Sequence, residues 1–123
     1  MIARLPNEAI TDILHAIRTL TAITAKHDLG TFSKNQQLRW AVERGLQIIS
    51  EAARNIPAAL TDRHPHVPWA DIRGMGNILR HDYMEISQTE LWKTVRQDLK
   101  PLQKACESLH RTTISPPRST KKK

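Results

Sequence analysis

The sequence predicts an all-α protein, an up-and-down bundle of four long helices with one additional short helix. Apolar residues recur at spacings of three and four along four separate stretches, which is typical of helices that bury one face. No stretch alternates with period two for long enough to indicate a strand, and no internal repeat is visible. With 123 residues and 39% hydrophobic content, the chain can fill one core but not two.

The first two long helices are delimited by residues that favour helix ends. Pro6 and Asn7 stand at the start of the first, which is expected to extend to about Lys26 and to be closed by Gly30. Ser33 is predicted to cap the second. Their apolar stripes are Ile10, Ile13, Leu14, Ile17 and Leu20 in the first helix, and Leu38, Val42, Ile49, Ala52, Ala53 and Ile56 in the second.

Prolines and a serine delimit the rest of the chain. The short helix is expected near Pro57 to Leu60, and the third long helix from Pro68 to about Met84. Ser87 is predicted to cap the last helix, which Pro101 is expected to kink. The stripes are Trp69, Ile72, Met75, Leu79, Tyr83 and Ile86 in the third helix, and Leu91, Val95, Leu99, Leu102, Cys106 and Leu109 in the last.

The positive charge of the chain is concentrated at its C-terminus. The formal net charge is +7, from 19 basic and 12 acidic residues, and the last six residues contribute four of the basic ones. The remainder, at +3, is only mildly basic. We therefore predict a folded domain over 1–111 and an unstructured basic tail over 112–123. If the tail has a function, we expect it to attract RNA or an acidic partner, and salt should weaken that attraction.

Cysteine usage and the N-terminus indicate a cytoplasmic, soluble protein. Cys106 is the only cysteine, so neither an intramolecular disulfide nor a cysteine-based zinc site can form. His64 and His66 form an HPH sequence, but two histidines without a third ligand at suitable spacing do not predict a metal site. The N-terminal residues lack the apolar run of a signal peptide or a membrane span.

One segment, WADIRGMGNILRHDY from Trp69 to Tyr83, carries polar residues that a helix does not need in order to fold. Arg73 and Asn77 are four residues apart, as are Asn77 and His81, so each lies about one helical turn from the last. A guanidinium binds a phosphate in a fork, and an imidazole can transfer a proton near neutral pH. This surface would suit a phosphate with a nearby ribose hydroxyl.

A longer pattern, IPxxxxxRHPxVPWxxIxxMxNxLxHxY, extends from Ile56 to Tyr83 and is preceded by AVERGLQIISEAARN. With these residues the chain resembles the HepT group of the HEPN superfamily, the toxin halves of HEPN–MNT toxin–antitoxin pairs, over roughly Leu5 to Leu109. The resemblance implies a HEPN-like bundle and a homodimer that cleaves RNA without a metal or another cofactor. It also implies a minimal nucleotidyltransferase antitoxin that attaches AMP to the motif tyrosine, here Tyr83.

The family signature is an arginine, four to six residues and then His-x-Tyr, usually written RNxxxHxY. Asn77, His81 and Tyr83 match it, but Gly76 stands where this form has its arginine. The nearest upstream arginine is Arg73, and the seven residues between it and His81 are one more than the family range.

Two other arginines are candidates for the role of the signature arginine that is missing at position 76. Arg73 lies about 12 Å from His81 along an ideal helix and about 80° around it. A bend at Gly74–Gly76, or a dimer that brings two copies of the segment together, would have to close that gap. Arg80 is adjacent to His81 and competes for the role; both can contribute.

The remaining motif residues have less direct roles. Asn77 is expected to orient the histidine or to bond to the backbone, because an amide has no proton to exchange near neutral pH. Tyr83 is either a packed ring or the site of modification. Trp40, Trp69 and Trp92 are expected to be core or interface anchors rather than surfaces on which bases stack.

Together with the resemblance, these residues predict a metal-independent endoribonuclease toxin that a nucleotidyltransferase neutralises. The alternative is a noncatalytic HEPN-like dimer that only binds RNA or a partner protein, which Gly76 favours. The predicted catalytic residues are His81, Arg73, Arg80 and Asn77, and the predicted site of AMPylation is Tyr83.

Overall fold

The computed structural model describes residues 5–81 and 87–114, with the side chains of residues 81, 113 and 114 excepted. Its helices are α1 (Pro6–Thr24), α2 (Leu29–Lys34), α3 (Gln36–Ala53), α4 (Ala58–Thr61), α5 (Trp69–His81), α6 (Gln88–Lys93) and α7 (Leu99–Ile114), with a π-helical turn (Thr94–Asp98) between the last two. No strand occurs in these ranges, which confirms the all-α prediction. No helix in them is long and apolar enough to cross a membrane.

The long helices pack side by side in the order α7, α1, α3 and α5. Helix α1 packs against α3 and α7, and α3 packs against α5 on its other side. All the stripe residues predicted for the first, second and last long helices are buried, as are Trp69, Ile72 and Leu79 of α5. Met75 is partly buried, while Tyr83 and Ile86 lie outside the described residues. The predicted stripe residues that the structure describes are therefore buried, Met75 only in part.

The connection between α1 and α3 differs from the prediction. Gly30 does not close the first helix but lies inside α2, an additional short helix. Asp28 caps α2 by accepting a hydrogen bond from the Thr31 backbone N–H at 2.9 Å, and this bond holds the pKa of the Asp28 carboxyl below its usual value. Ser33 does not cap α3. Asn35 does, since its Oδ1 accepts from the Leu38 N–H at 3.0 Å.

The last long helix begins where predicted and changes its pitch in the middle. Ser87 caps α6, with its Oγ accepting from the Glu90 N–H at 3.1 Å. The irregularity expected at Pro101 occurs one turn earlier, as the π turn over Thr94–Asp98, and α7 continues through the proline. Pro101 has no N–H for the carbonyl of Gln97, and its ring crowds that carbonyl. A wider turn around Gln97 relieves the crowding.

The three tryptophans have different environments. Trp69 is buried and donates its Nε1–H to the His64 carbonyl at 3.0 Å. Trp92 is half-buried and stacks on Phe32, with ring centroids 5.0 Å apart. Trp40 is 62% exposed, so it is not a core residue. Its other predicted role, at an interface with a partner, stays a prediction.

Candidate active site on helix α5

The polar residues of the motif lie on a helix that is regular through both of its glycines. Helix α5 is α-helical from Trp69 to His81, and no glycine in the described residues has a positive φ. The bend that Gly74 and Gly76 were expected to permit is therefore not how this chain brings an arginine to the histidine.

Arg80 and Asn77 are joined directly. The Nη2 of Arg80 donates to the Oδ1 of Asn77 at 3.2 Å, and both side chains are exposed. Asn77 thus bonds to an arginine, and its predicted role in orienting the histidine or bonding to the backbone stays a prediction. His81 is the last residue of α5; its side chain, and the whole of Tyr83, lie outside the described residues.

Arg73 and Arg80 lie on the same side of α5. Arg80 comes seven positions after Arg73, which is about 20° short of two full turns and about 10.5 Å along the axis. Gly76 lies between them on the same stripe. Of the two arginines proposed for the missing role, Arg80 is the one that adjoins His81 and bonds to Asn77.

The backbone of α5 is held by a serine of α3 that the sequence did not single out. The fully buried Ser50 donates its Oγ–H to the Arg73 carbonyl at 2.8 Å and accepts from the Gly76 N–H at 2.9 Å. The same carbonyl also accepts from the Nε of Arg54 at 3.1 Å. These bonds from Ser50 and Arg54 fix the position of α5 along the axis of α3, and therefore the position of the motif residues.

Gly76 is a packing residue in this fold. A Cβ at position 76 would lie 2.8 Å from the Oγ and 3.0 Å from the Cβ of Ser50, whereas a Cβ at Gly74 would meet nothing within 4 Å. An arginine at position 76 would therefore begin inside the contact between α3 and α5. An arginine introduced at this position would disturb the packing before it could reach a substrate.

Other titratable groups do not form a second catalytic cluster in the described residues. Burial raises the pKa of Glu43, and the nearby Arg39 opposes this shift. No group of three or more metal-binding side chains occurs there, and the rings of His64 and His66 face each other edge-on with centroids 6.0 Å apart. The arginine-rich surface of α5 is thus the candidate site that the described residues offer.

Comparisons with known proteins agree on one family. Residues 13–109 match the family model "Ribonuclease HepT-like". The chain is 38% identical over 96 residues to a candidate RNase of Methanocaldococcus jannaschii, covering 78% of this chain and 88% of that protein. It is 33% identical over 102 residues to a probable ribonuclease HepT of Thermococcus cleftensis, covering 83% and 93% of the two chains. No solved structure matches.

Proposed function

Because the chain belongs to the HepT-like ribonuclease family, we propose that it is a metal-independent endoribonuclease and the toxin of a HEPN–MNT toxin–antitoxin pair. The observation that carries the proposal is the hydrogen-bonded Asn77–Arg80 pair, which places a guanidinium on the exposed surface of α5 just before His81. An arginine beside a histidine can support phosphodiester cleavage without a metal, because the imidazole can transfer a proton and the guanidinium can stabilise negative charge on the phosphate.

The proposed reaction is an internal transfer within the RNA. His81 accepts the proton of a ribose 2′-hydroxyl, and the 2′-oxygen attacks the adjacent phosphorus. The bond from phosphorus to the 5′-oxygen of the next nucleotide breaks, and that oxygen takes up a proton from water, while His81 later returns its proton to the solvent. The products are a 2′,3′-cyclic phosphate and a 5′-hydroxyl. Arg80, or Arg73, stabilises the negative charge that grows on the phosphoryl oxygens.

The chemistry is tested with a histidine variant and a chelator. His81→Ala should abolish cleavage of single-stranded RNA, while His66→Ala, a histidine in the exposed loop before α5, should retain it. Wild-type cleavage should continue in excess EDTA and leave 2′,3′-cyclic phosphate ends. Cleavage that stops with chelation would exclude the metal-free mechanism. Binding of RNA without any cleavage by the wild type would establish the noncatalytic alternative.

The proposed antitoxin is a minimal nucleotidyltransferase that modifies Tyr83. An AMP group on this tyrosine would bring a phosphate close to Arg80 and His81 in the chain, where it would compete with the RNA phosphate and repel it. After co-expression with a nucleotidyltransferase encoded next to this chain, we expect mass additions of about 329 Da per AMP in the wild type. Tyr83→Phe should show none. Neutralised activity with an unmodified mass would mean that the partner acts by binding alone.

A further inference from the structure

The contact between α3 and α5 forms a shallow basic surface that extends beyond the motif. It is lined by Gln47, Ser50, Glu51, Arg54, Gly76 and Arg80, and we refer to it as the α3–α5 seam. Its enclosed volume is only about 10 Å³, so a free nucleotide cannot sit inside it. An extended chain that passes over the surface can still reach its side chains.

Arg54 is held across the seam by its Nε. Two side-chain donors, Arg54 Nε and Ser50 Oγ, share the carbonyl of Arg73. The bond directs the arginine of α3 toward α5. A guanidinium has five N–H donors, and this bond uses one of them, which leaves the terminal fork of Arg54 available for another acceptor.

Arg80 lines the same seam from the other helix. It uses one donor for Asn77 and, like Arg54, forms no ion pair within the described residues. Glu51 also lines the surface, but no ion pair joins it to either arginine in that part of the chain. Two exposed guanidinium groups that no carboxylate of the described residues pairs with attract an anion, and a phosphate accepts bonds from each fork.

We propose that Arg54, acting with Arg80, binds a backbone phosphate of RNA at the α3–α5 seam. The inference rests on the proposed function, in that it takes RNA as the substrate, and it adds a residue from a second helix to the binding surface. Ser50 is a positioning residue in this arrangement, since it holds the Arg73 carbonyl to which Arg54 is anchored. RNA bound along the seam would extend toward the C-terminal end of α5, where His81 lies.

The test measures RNA binding in a chain that cannot cleave. With His81→Ala as the background, the affinity for a fluorescently labelled single-stranded RNA is followed by anisotropy at several salt concentrations. Adding Arg54→Ala should weaken binding about tenfold, as expected for a lost bond to a charged group. It should also reduce the slope of log affinity against log salt by about 0.7, the value for one phosphate of a single strand.

The matched control is Arg44→Ala. Arg44 is an exposed arginine on the same helix that lines the groove between α1 and α3 and not the seam, although its Nη1 donates a long bond of 3.5 Å to Gln47 at the edge of the seam. Its loss removes the same charge and should weaken binding less than about twofold. Arg80→Ala, which leaves the anchor of Arg54 intact, should match Arg54→Ala, and thermal unfolding should show that all variants remain folded.

The outcomes separate this inference from the proposed function. Equal losses in Arg54→Ala and Arg44→Ala would overturn the role of the seam and leave only general charge attraction. The inference would also be overturned if adding Arg54→Ala left the affinity of the His81→Ala background for RNA unchanged, although the ribonuclease proposal would then still stand. If neither the wild type nor the His81→Ala background bound RNA, the proposed function itself would fail.

Discussion

The contact of Gly76 with Ser50 is the residue-scale feature on which the position of the motif depends. Gly76→Ala should destabilise the protein by about 1–3 kcal/mol, because its Cβ would lie 2.8 Å from an oxygen that is itself held by two hydrogen bonds. Gly74→Ala is the control in the same helix, and with open space at its Cβ it should stabilise by up to about 1 kcal/mol.

Chemical denaturation of the two alanine variants measures both effects. The free energy of unfolding of Gly76→Ala should fall below that of the wild type and that of Gly74→Ala should rise. If both alanine variants are more stable than the wild type, α3 and α5 can move apart without loss of stability, and Ser50 does not set the position of α5. A fall in both would mean that Gly74 is also covered by a neighbour, as it would be in a close dimer.

The sequence indicated the polar residues of α5 but not their partners on α3. Arg73, Asn77 and Arg80 are recognisable because spacing within one helix determines which side chains are neighbours. Ser50 and Arg54 depend on which face of α3 meets α5, and the periodicity of a single helix does not contain that information. For the same reason the sequence shows only that Gly76 stands where the family signature has an arginine, and its close contact with Ser50 is visible only in the structure.

At the scale of elements, burial was predicted better than boundaries. The apolar stripes of α1, α3 and α7 follow from spacing alone, since a helix must bury its apolar face. The short helix α2 was missed because six residues with a single fully buried side chain, Phe32, give no periodic signal. The sequence signal for α2 is the capping pair Asp28 and Thr31. Gly30 and Ser33 are more familiar signals, and they predicted a helix end and a helix start at different positions.

The π turn shows why the effect of a proline is hard to place from sequence. Pro101 disturbs the turn before it, and the structure absorbs the disturbance around Gln97 rather than by ending the helix. This arrangement leaves Arg96 facing α1, where its Nη2 donates to the carbonyls of Thr24 and His27 at 3.0 and 2.8 Å. Its guanidinium also lies 4.5 Å from the ring centre of Trp92. A local irregularity therefore contributes to the junction between the first and last helices.

For the whole molecule, α5 separates two surfaces of different charge. On one side is the α3–α5 seam with Arg54 and Arg80. On the other, a groove of about 430 Å³ lies between α5 and the helix that begins at Gln88, and its carboxylates come from Asp71, Glu90 and Asp98. An acidic groove repels RNA, so the two sides of α5 suit different partners. The seam suits a nucleic acid, and the groove with its apolar lining suits a protein.

The last prediction is that a second copy of this chain packs against the outer face of α5. Ile78 lies on that face, lines the groove and is 46% exposed. Light scattering should give about twice the 14.0 kDa mass of one chain at micromolar concentration. Ile78→Glu should yield monomers, because it adds a carboxylate to an already acidic groove on each copy.

Trp40→Glu is the matched control for this interface. It also replaces an exposed apolar side chain with a carboxylate, but on α3, and it should leave the dimer intact. If instead Trp40→Glu dissociates the protein and Ile78→Glu does not, the copies meet through α3 and the motif helices of the two chains are not brought together. Loss of RNA cleavage in the Ile78→Glu monomer, with its helix content unchanged, would then connect assembly to activity, since the substitution removes none of the proposed catalytic groups. A fully active monomer would show that one copy is enough.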